Sequence, residues 1–362
     1  MSNAEAFIRH YLQDYSDYKS YWNYEDGCVL KGCADLYAVT REPAYRDFVL
    51  RYLERRVAPD GSIPTYETAQ YNIDSINCGK ALFFALDQTG DERYRKAIEY
   101  VMQRLREHPR CQCGSSWHKT IYPNQIWLDG LYMAEPFYME YEVRFGDDKR
   151  VSDILAQFAN VRRLLYNQEK GLYYHACDEA RMQPWCNPVT GCSPNFWLRS
   201  IGWYLMALAD GLALLPDRQS EAYRSLASLL DEAIRGILPY RRPDGMFSQV
   251  VDHPEAIGNY AETSGTAMIA YALMKGCTVG ALPAEPYASV GRSVMESLLR
   301  DKLVGDAHLV DICAVAGLGP GNKRDGSVAY YLSEPIVSDD AKGVGPFMMA
   351  YSQYIRKNAL GG

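Results

Sequence analysis

With 362 residues, 48% of them hydrophobic and 23% charged, the chain has the composition of a globular protein and enough length for a large buried core. A formal net charge of −7 argues against a duplex nucleic-acid binder, which needs a basic face. No uninterrupted apolar run approaches the ~18 residues of a membrane span. The start "MSNAEAFIRHYLQDY" reads as a polar lead into an amphipathic helix rather than a signal peptide, so a cytoplasmic protein with no membrane partner is expected.

Along the chain one phrase repeats: a glycine, then an apolar helix, a turn, then an amphipathic helix, with loops inserted before the apolar members. Residues 4–21 supply the first amphipathic member and "GCVLKGCADLYAV" (27–39) the first apolar one. Residues 42–57 precede "GKALFFALDQTG" (79–90), and residues 91–108 precede "GLYMAEPFYMEYEVRFG" (130–146). Residues 150–165 lead to "GWYLMALADGLALL" (202–215), and residues 220–238 to "GTAMIAYALMKG" (265–276). Residues 284–300 and "GVGPFMMAYSQYIRK" (343–357) complete the series. The amphipathic members place apolar residues three and four apart, as helices with one wet face do. In "TGDERY" and "FGDDKR" a glycine ends one helix and an aspartate starts the next. Six apolar helices alternating with six amphipathic ones predict two concentric rings, an all-α (α/α)6 barrel of six inner and six outer helices. No linker interrupts residues 1–362, so one domain is expected. Short β-like pieces, "GLYYHACD" and "GMFSQVVD", belong to the loops.

Polar and aromatic residues gather just before each inner helix, in "YWNYEDG", "YNIDSINCG", "SSWHKTIYPNQIWLDG", "NFWLRSIG", "NYAETSG" and "VSDDAKGVG". All inner helices of such a ring run parallel, so these six loops converge on one cavity mouth. Helix capping accounts for some of the Ser, Thr, Asn and Asp. It does not account for Trp127, Trp197, Trp203, His118, Lys119 and Arg199, although Trp203, inside its helix, reads better as core. Aromatic faces and carboxylates at a cavity mouth suit carbohydrate chemistry. Asp129, at the first turn of its helix, caps nothing that Asn124 could not cap, and Asp74 holds the corresponding place on the preceding inner helix. A helix N-terminus favours the charged carboxylate, whereas a second carboxylate and dry aromatic walls favour the protonated form. The Asp74–Asp129 pairing therefore suits a proton donor. Arg199 is an equal candidate for a substrate contact or for an ion pair with Glu262 or Asp340.

Ten cysteines are scattered through the chain. The spacings Cys111/Cys113 and Cys186/Cys192 are the only metal-like ones, and neither has the second pair of a structural zinc site.

The blocks "WHKTIYPNQIWLDGLYMAEPF", "NFWLRSIGWYLMAL", "YAETSGTAMIAYALMKG" and "DDAKGVGPFMMA" resemble glycoside hydrolase family 105, the unsaturated rhamnogalacturonyl hydrolases. The resemblance runs from "YWNYEDGCVLKG" to the C-terminus and implies the same (α/α)6 barrel. It implies removal of a terminal Δ4,5-unsaturated uronic acid from a pectin-derived oligosaccharide, by hydration of the C4=C5 enol ether. Asp129 matches the position of the acid/base and Asp74 that of the second aspartate. His118, Trp127, His175, Trp197 and Arg199 match positions lining the unsaturated-sugar pocket, and Lys119 follows His118 in the same block. An unsaturated uronyl oligosaccharide is the implied partner, no metal or organic cofactor is implied, and the protein is expected as a monomer or homodimer. Three other readings compete: an unsaturated glucuronyl hydrolase, a sugar 2-epimerase, which would rely on histidines where this mouth offers aspartates, and a non-catalytic glycan-binding barrel.

Overall fold

The structure is a computed structural model that describes residues 2–146, 150–319, 321 and 323–356. Its helices are α1 (Asn3–Gln13), α2 (Tyr24–Thr40), α3 (Pro43–Arg56), α4 (Lys80–Thr89), α5 (Glu92–Arg106), α6 (Leu128–Phe145) and α7 (Val151–Leu165). The series continues with α8 (Leu198–Leu214), α9 (Glu221–Ile237), α10 (Thr263–Val279), α11 (Ala284–Asp301), the short α12 (Val328–Ser333) and α13 (Ala341–Ile355). A 3₁₀ stretch, Ile73–Gly79, leads directly into α4.

Packing follows from which faces are apolar. In α9 the buried residues Tyr223, Leu226, Leu230, Ile234 and Ile237 recur at helical spacing, leaving the other side to water. In α8 every residue from Leu198 to Leu212 is buried, so this helix needs neighbours on all sides. The inner ring runs α2, α4 with its 3₁₀ lead, α6, α8, α10 and α13, and α13 packs back on α2 to close it. The outer helices α3, α5, α7, α9 and α11 each lie on the inner helix that precedes them. The sixth outer helix, α1, joins the two ends of the chain, with Phe7 edge-on to Phe347 at 6.1 Å and Ser2 Oγ 2.7 Å from Tyr351 Oη. The predicted double ring is therefore present.

Five inner helices begin two to four residues before the predicted glycine. Those glycines are helix contacts and not helix starts. A Cβ on Gly265 would meet Leu198 Cγ at 2.5 Å, and one on Gly345 would meet the Cys28 carbonyl oxygen at 2.6 Å. The earlier starts draw Glu25, Asp129, Arg199 and Lys342 into first helical turns, where their directions are fixed. The outer helices other than α1 match their predicted bounds to within two residues.

The exception is α1, which ends at Gln13, so residues 14–21 are not helical as expected. Tertiary bonds pull this segment across the barrel mouth as a rim. Asp26 accepts hydrogen bonds from the Tyr18 amide (2.8 Å) and the Tyr15 hydroxyl. Arg56 donates to the carbonyls of Ser20 and Lys19 and pairs with Asp17 at 2.7 Å.

Of the β-like pieces, "GLYYHACD" contributes two short strands, Leu172–Tyr173 and Ala176–Asp178. "GMFSQVVD" makes only isolated bridges, Ser248 to Ala261 and Val250 to Trp197. The "TGDERY" turn is built as expected, with Gly90 at φ +67° and Asp91 capping α5. Asp147, Asp148 and Lys149 of "FGDDKR", and Lys357, lie outside the described residues. No described helix is long and apolar enough to cross a membrane.

Candidate active site

The inner helices start in two ways. Asn23, Glu262 and Asp340 cap α2, α10 and α13 with their side chains. The helices α6 and α8 start at Trp127 and Trp197, and neither has a side-chain cap. Asn124 does not cap α6, since it occupies a left-handed turn at φ +60° three residues earlier. Asp129 and Arg199 thus stand in the first turns of two helices without a side-chain cap, side by side in the ring.

Short backbone pairings bring the remaining residues to them. The strand Gln125–Trp127 runs antiparallel to Ala176–Asp178, with Trp127 opposite Ala176. This register lets Leu128 N–H donate to the His175 carbonyl at 3.1 Å and sets His175 over the start of α6. His118 N–H donates to the Gln125 carbonyl (2.9 Å), and Ile73 N–H donates to the His118 carbonyl (3.1 Å). Asp74, the next residue, is thereby brought to His118 and Lys119.

The result is a band of rings. His118 stacks on Trp127 with centroids 4.2 Å apart and planes 4° apart, and Tyr122 stacks on Trp127 at 5.0 Å. His175 is edge-on to Trp127 at 5.1 Å and tilted against Trp197 at 4.7 Å, and Trp197 lies parallel to Tyr331 at 6.2 Å. Trp203 lies deeper, buried and stacked on Tyr132 at 4.8 Å, which makes it core as expected.

Two carboxylates face this band from different environments. Asp74 is buried and its Oδ2 lies 2.9 Å from Lys119 Nζ and 3.7 Å from His118 Nε2. Burial alone pushes the Asp74 carboxyl up, but Lys119, by charge and hydrogen bond, together with His118 and Lys19 outweighs it and holds the group below its ordinary value. Burial pushes His118 down to about 4 against the pull of Asp74, so its ring is neutral near pH 7 and stacks as an uncharged face. Asp129, with a side chain 13% exposed, places Oδ2 3.4 Å from His175 Nε2. Neither atom has a hydrogen-bond partner among the described residues, whereas His175 Nδ1 is held 2.8 Å from the Tyr331 hydroxyl. His118 stands between Asp74 and the start of α6, where a Cβ on Gly130, the neighbour of Asp129, would meet its Nδ1 at 3.8 Å.

Arg199 makes neither of the expected ion pairs. It is buried beneath the Trp197 ring, 4.9 Å from its centroid, and donates to Ser264 Oγ (3.2 Å) and to the Cys313 carbonyl (2.5 Å). Glu262 instead caps α10, and Asp340 binds Lys342 Nζ at 2.8 Å. Arg199 therefore supports Trp197 from behind.

Sequence reasoning missed Tyr331, Gln249, Gln125 and Glu25. Gln249 accepts from Trp197 Nε1 (3.2 Å) and Gln125 from Trp127 Nε1 (3.0 Å), which fixes both indoles. A buried glutamine inside "GMFSQVVD" was a usable signal. Tyr331 had none, because it sits on α12 in the long segment before α13.

This arrangement offers a wall of aromatic rings suited to a sugar face beside one carboxylate oxygen that lacks a hydrogen bond among the described residues. The family model of Glycosyl Hydrolase Family 88 matches residues 3–358. A glycoside hydrolase from family 105 of C. acetobutylicum ATCC 824 superposes with a TM-score of 0.93 at 40% identity, over 97% of this chain and 98% of its own. Protein Atu3128 of Agrobacterium fabrum is 44% identical over 230 residues, 61% of this chain and 97% of that protein. The unsaturated rhamnogalacturonyl hydrolase YesR of Bacillus subtilis is 26% identical over 259 residues, 70% of each chain. The family implied by the sequence blocks is thus the one found, and the protein is a glycoside hydrolase belonging to the family 88/105 group.

Proposed function

We propose that the protein removes a terminal Δ4,5-unsaturated galacturonic acid from rhamnogalacturonan oligosaccharides. Asp129 in its acid form gives its proton to C4 of the enol ether, and the resulting oxocarbenium ion takes up water at C5. The same carboxylate, now a base, accepts the proton of that water. The C5 hemiketal collapses, the ring opens to a keto-uronate and the leaving sugar departs with its hydroxyl. His175, steadied by Tyr331, orients Asp129, and the Asp74–Lys119 pair holds the sugar on the opposite side. One observation carries the reading: Asp129 Oδ2 is buried, has no hydrogen-bond partner among the described residues, and faces a histidine fixed through its other nitrogen. The rhamnogalacturonan specificity is supported by the likeness to YesR.

The test is loss of the ultraviolet absorbance of the conjugated uronate on lyase-digested rhamnogalacturonan. Decay there and none on glucuronyl-ended fragments supports the proposed substrate. Decay only on the glucuronyl-ended fragments keeps the hydration chemistry and replaces the leaving sugar, and no decay on either discards both.

A pH dependence follows from Asp74. Its folded pKa lies below the unfolded value of about 4, so the pair with Lys119 stabilises the fold above that pH. The contribution is lost as pH falls through the lower, folded value. In Lys119→Met burial is opposed only by His118 and Lys19, so Asp74 protonates more readily. The acidic limb of the kcat/KM profile should move toward neutral pH, and an unmoved limb would separate Asp74 from the rate.

A further inference from the structure

The rim formed by residues 14–22 is not used by the proposed chemistry, yet Tyr18 and Lys19 reach the starts of inner helices: Tyr18 Oη lies 3.0 Å from Asp340, the cap of α13, and Lys19 reaches Glu25 in the first turn of α2. Lys19 Nζ lies 5.7 Å from the Tyr18 ring centroid, 5.5 Å from that of Tyr21 and 5.9 Å from that of Tyr24. It is tied to Glu25 Oε1 at 2.6 Å. Tyr18 and Tyr21 are 39% and 38% exposed, although two large rings would ordinarily be turned inward.

Glu25 and its neighbour Asp26 differ in a telling way. Asp26 is fully engaged, receiving hydrogen bonds from Tyr15, Tyr18, Asn23 and Tyr52, and so fastens the rim. Glu25 is only 4% exposed, yet its Oε2 is buried with no hydrogen-bond partner among the described residues. Glu25 stands in the first turn of α2, which packs between the 3₁₀ lead of α4 on one side and α13 on the other. A buried carboxylate oxygen without a donor is costly, and a hydroxyl-bearing ligand would satisfy it.

We infer that this rim is the subsite for the leaving sugar: Glu25 Oε2 accepts hydrogen bonds from its hydroxyls, and Tyr21, with Tyr18, takes its apolar face. The inference rests on the proposed function and names what that reading leaves open. The terminal unsaturated ring lies inside, against Trp127, His175 and Trp197, so the rest of the oligosaccharide must leave past the open side, where the exposed tyrosines stand. Lys19 holds Glu25 in place and separates the rings. The ligand class is a polyhydroxylated sugar with one apolar face, not a bare alcohol.

The test compares an unsaturated galacturonyl disaccharide with the methyl glycoside of the same unsaturated acid. Both share the cleaved bond, and only the first carries a leaving sugar. Glu25→Gln and Tyr21→Ala should each lose about tenfold more kcat/KM on the disaccharide than on the methyl glycoside, mostly through KM, equivalent to ~1.4 kcal/mol. Tyr21→Ala is the safer variant, because among the described residues its side chain makes no hydrogen bond beyond its contact with Lys19. Equal losses on both substrates in the two variants would overturn the rim subsite. Absence of turnover by the wild type on either substrate would instead overturn the proposed function on which it stands.

Discussion

Asp129→Asn should abolish turnover without disturbing the fold, with kcat reduced about a thousandfold. The substitution keeps the shape of the side chain and removes only its capacity to exchange a proton. Because Asp129 Oδ2 has no protein hydrogen bond to lose, the thermal midpoint should stay close to that of the wild type. KM should change little, since proton delivery is an interaction made in the transition state and not in the bound ground state. The measurement is absorbance decay at saturating unsaturated substrate, with a melting curve on the same sample. A variant retaining more than about a tenth of the wild-type rate would remove Asp129 from the role of acid, because a positioned general acid contributes well over tenfold.

The largest effect on stability is expected at Glu262, a residue that touches no substrate in this reading. It is fully buried and its carboxylate accepts from Ser264 N–H (3.0 Å), Ser264 Oγ (2.6 Å), Cys313 N–H (3.1 Å) and Gly265 N–H (2.7 Å). Three of these donors are backbone amides at the start of α10 and beside the long segment before α13. Arg199 is tied to the same cluster through Ser264 and the Cys313 carbonyl. Glu262→Ala strands the three amides and frees Ser264 Oγ, to which Arg199 is bonded, a loss of about 4 kcal/mol. Glu262→Gln should cost less, about 2 kcal/mol, because one oxygen still accepts while the amide nitrogen faces donors. Denaturant midpoints at unchanged slope report the difference. A loss for the alanine variant below about 1 kcal/mol would mean that water replaces the carboxylate.

The glycine-led apolar segments and the three- and four-residue spacing between them already contain the double ring, because a helix apolar all round must be enclosed and an amphipathic one must cover it. The quoted loops contain the mouth and most of its occupants: Asp74, His118, Lys119, Trp127, Asp129, His175 and Trp197 come together as one site. Those features depend on short-range pattern, which a sequence displays directly. What the sequence could not display depends on partners distant along the chain. Residues 14–21 have helical periodicity, yet Asp26 and Arg56 capture their backbone and turn them into a rim. Arg199, equally suited to a substrate or an ion pair, is buried under Trp197 because Ser264 and the Cys313 carbonyl accept its protons. Tyr331 reaches His175 from a residue 156 positions away, with no local signal of its own. Glu25 and Asp26 are adjacent acids in the sequence. Only the packed structure satisfies every lone pair of one and leaves an oxygen of the other open, since hydrogen-bond satisfaction is decided by the folded surroundings and not by residue type.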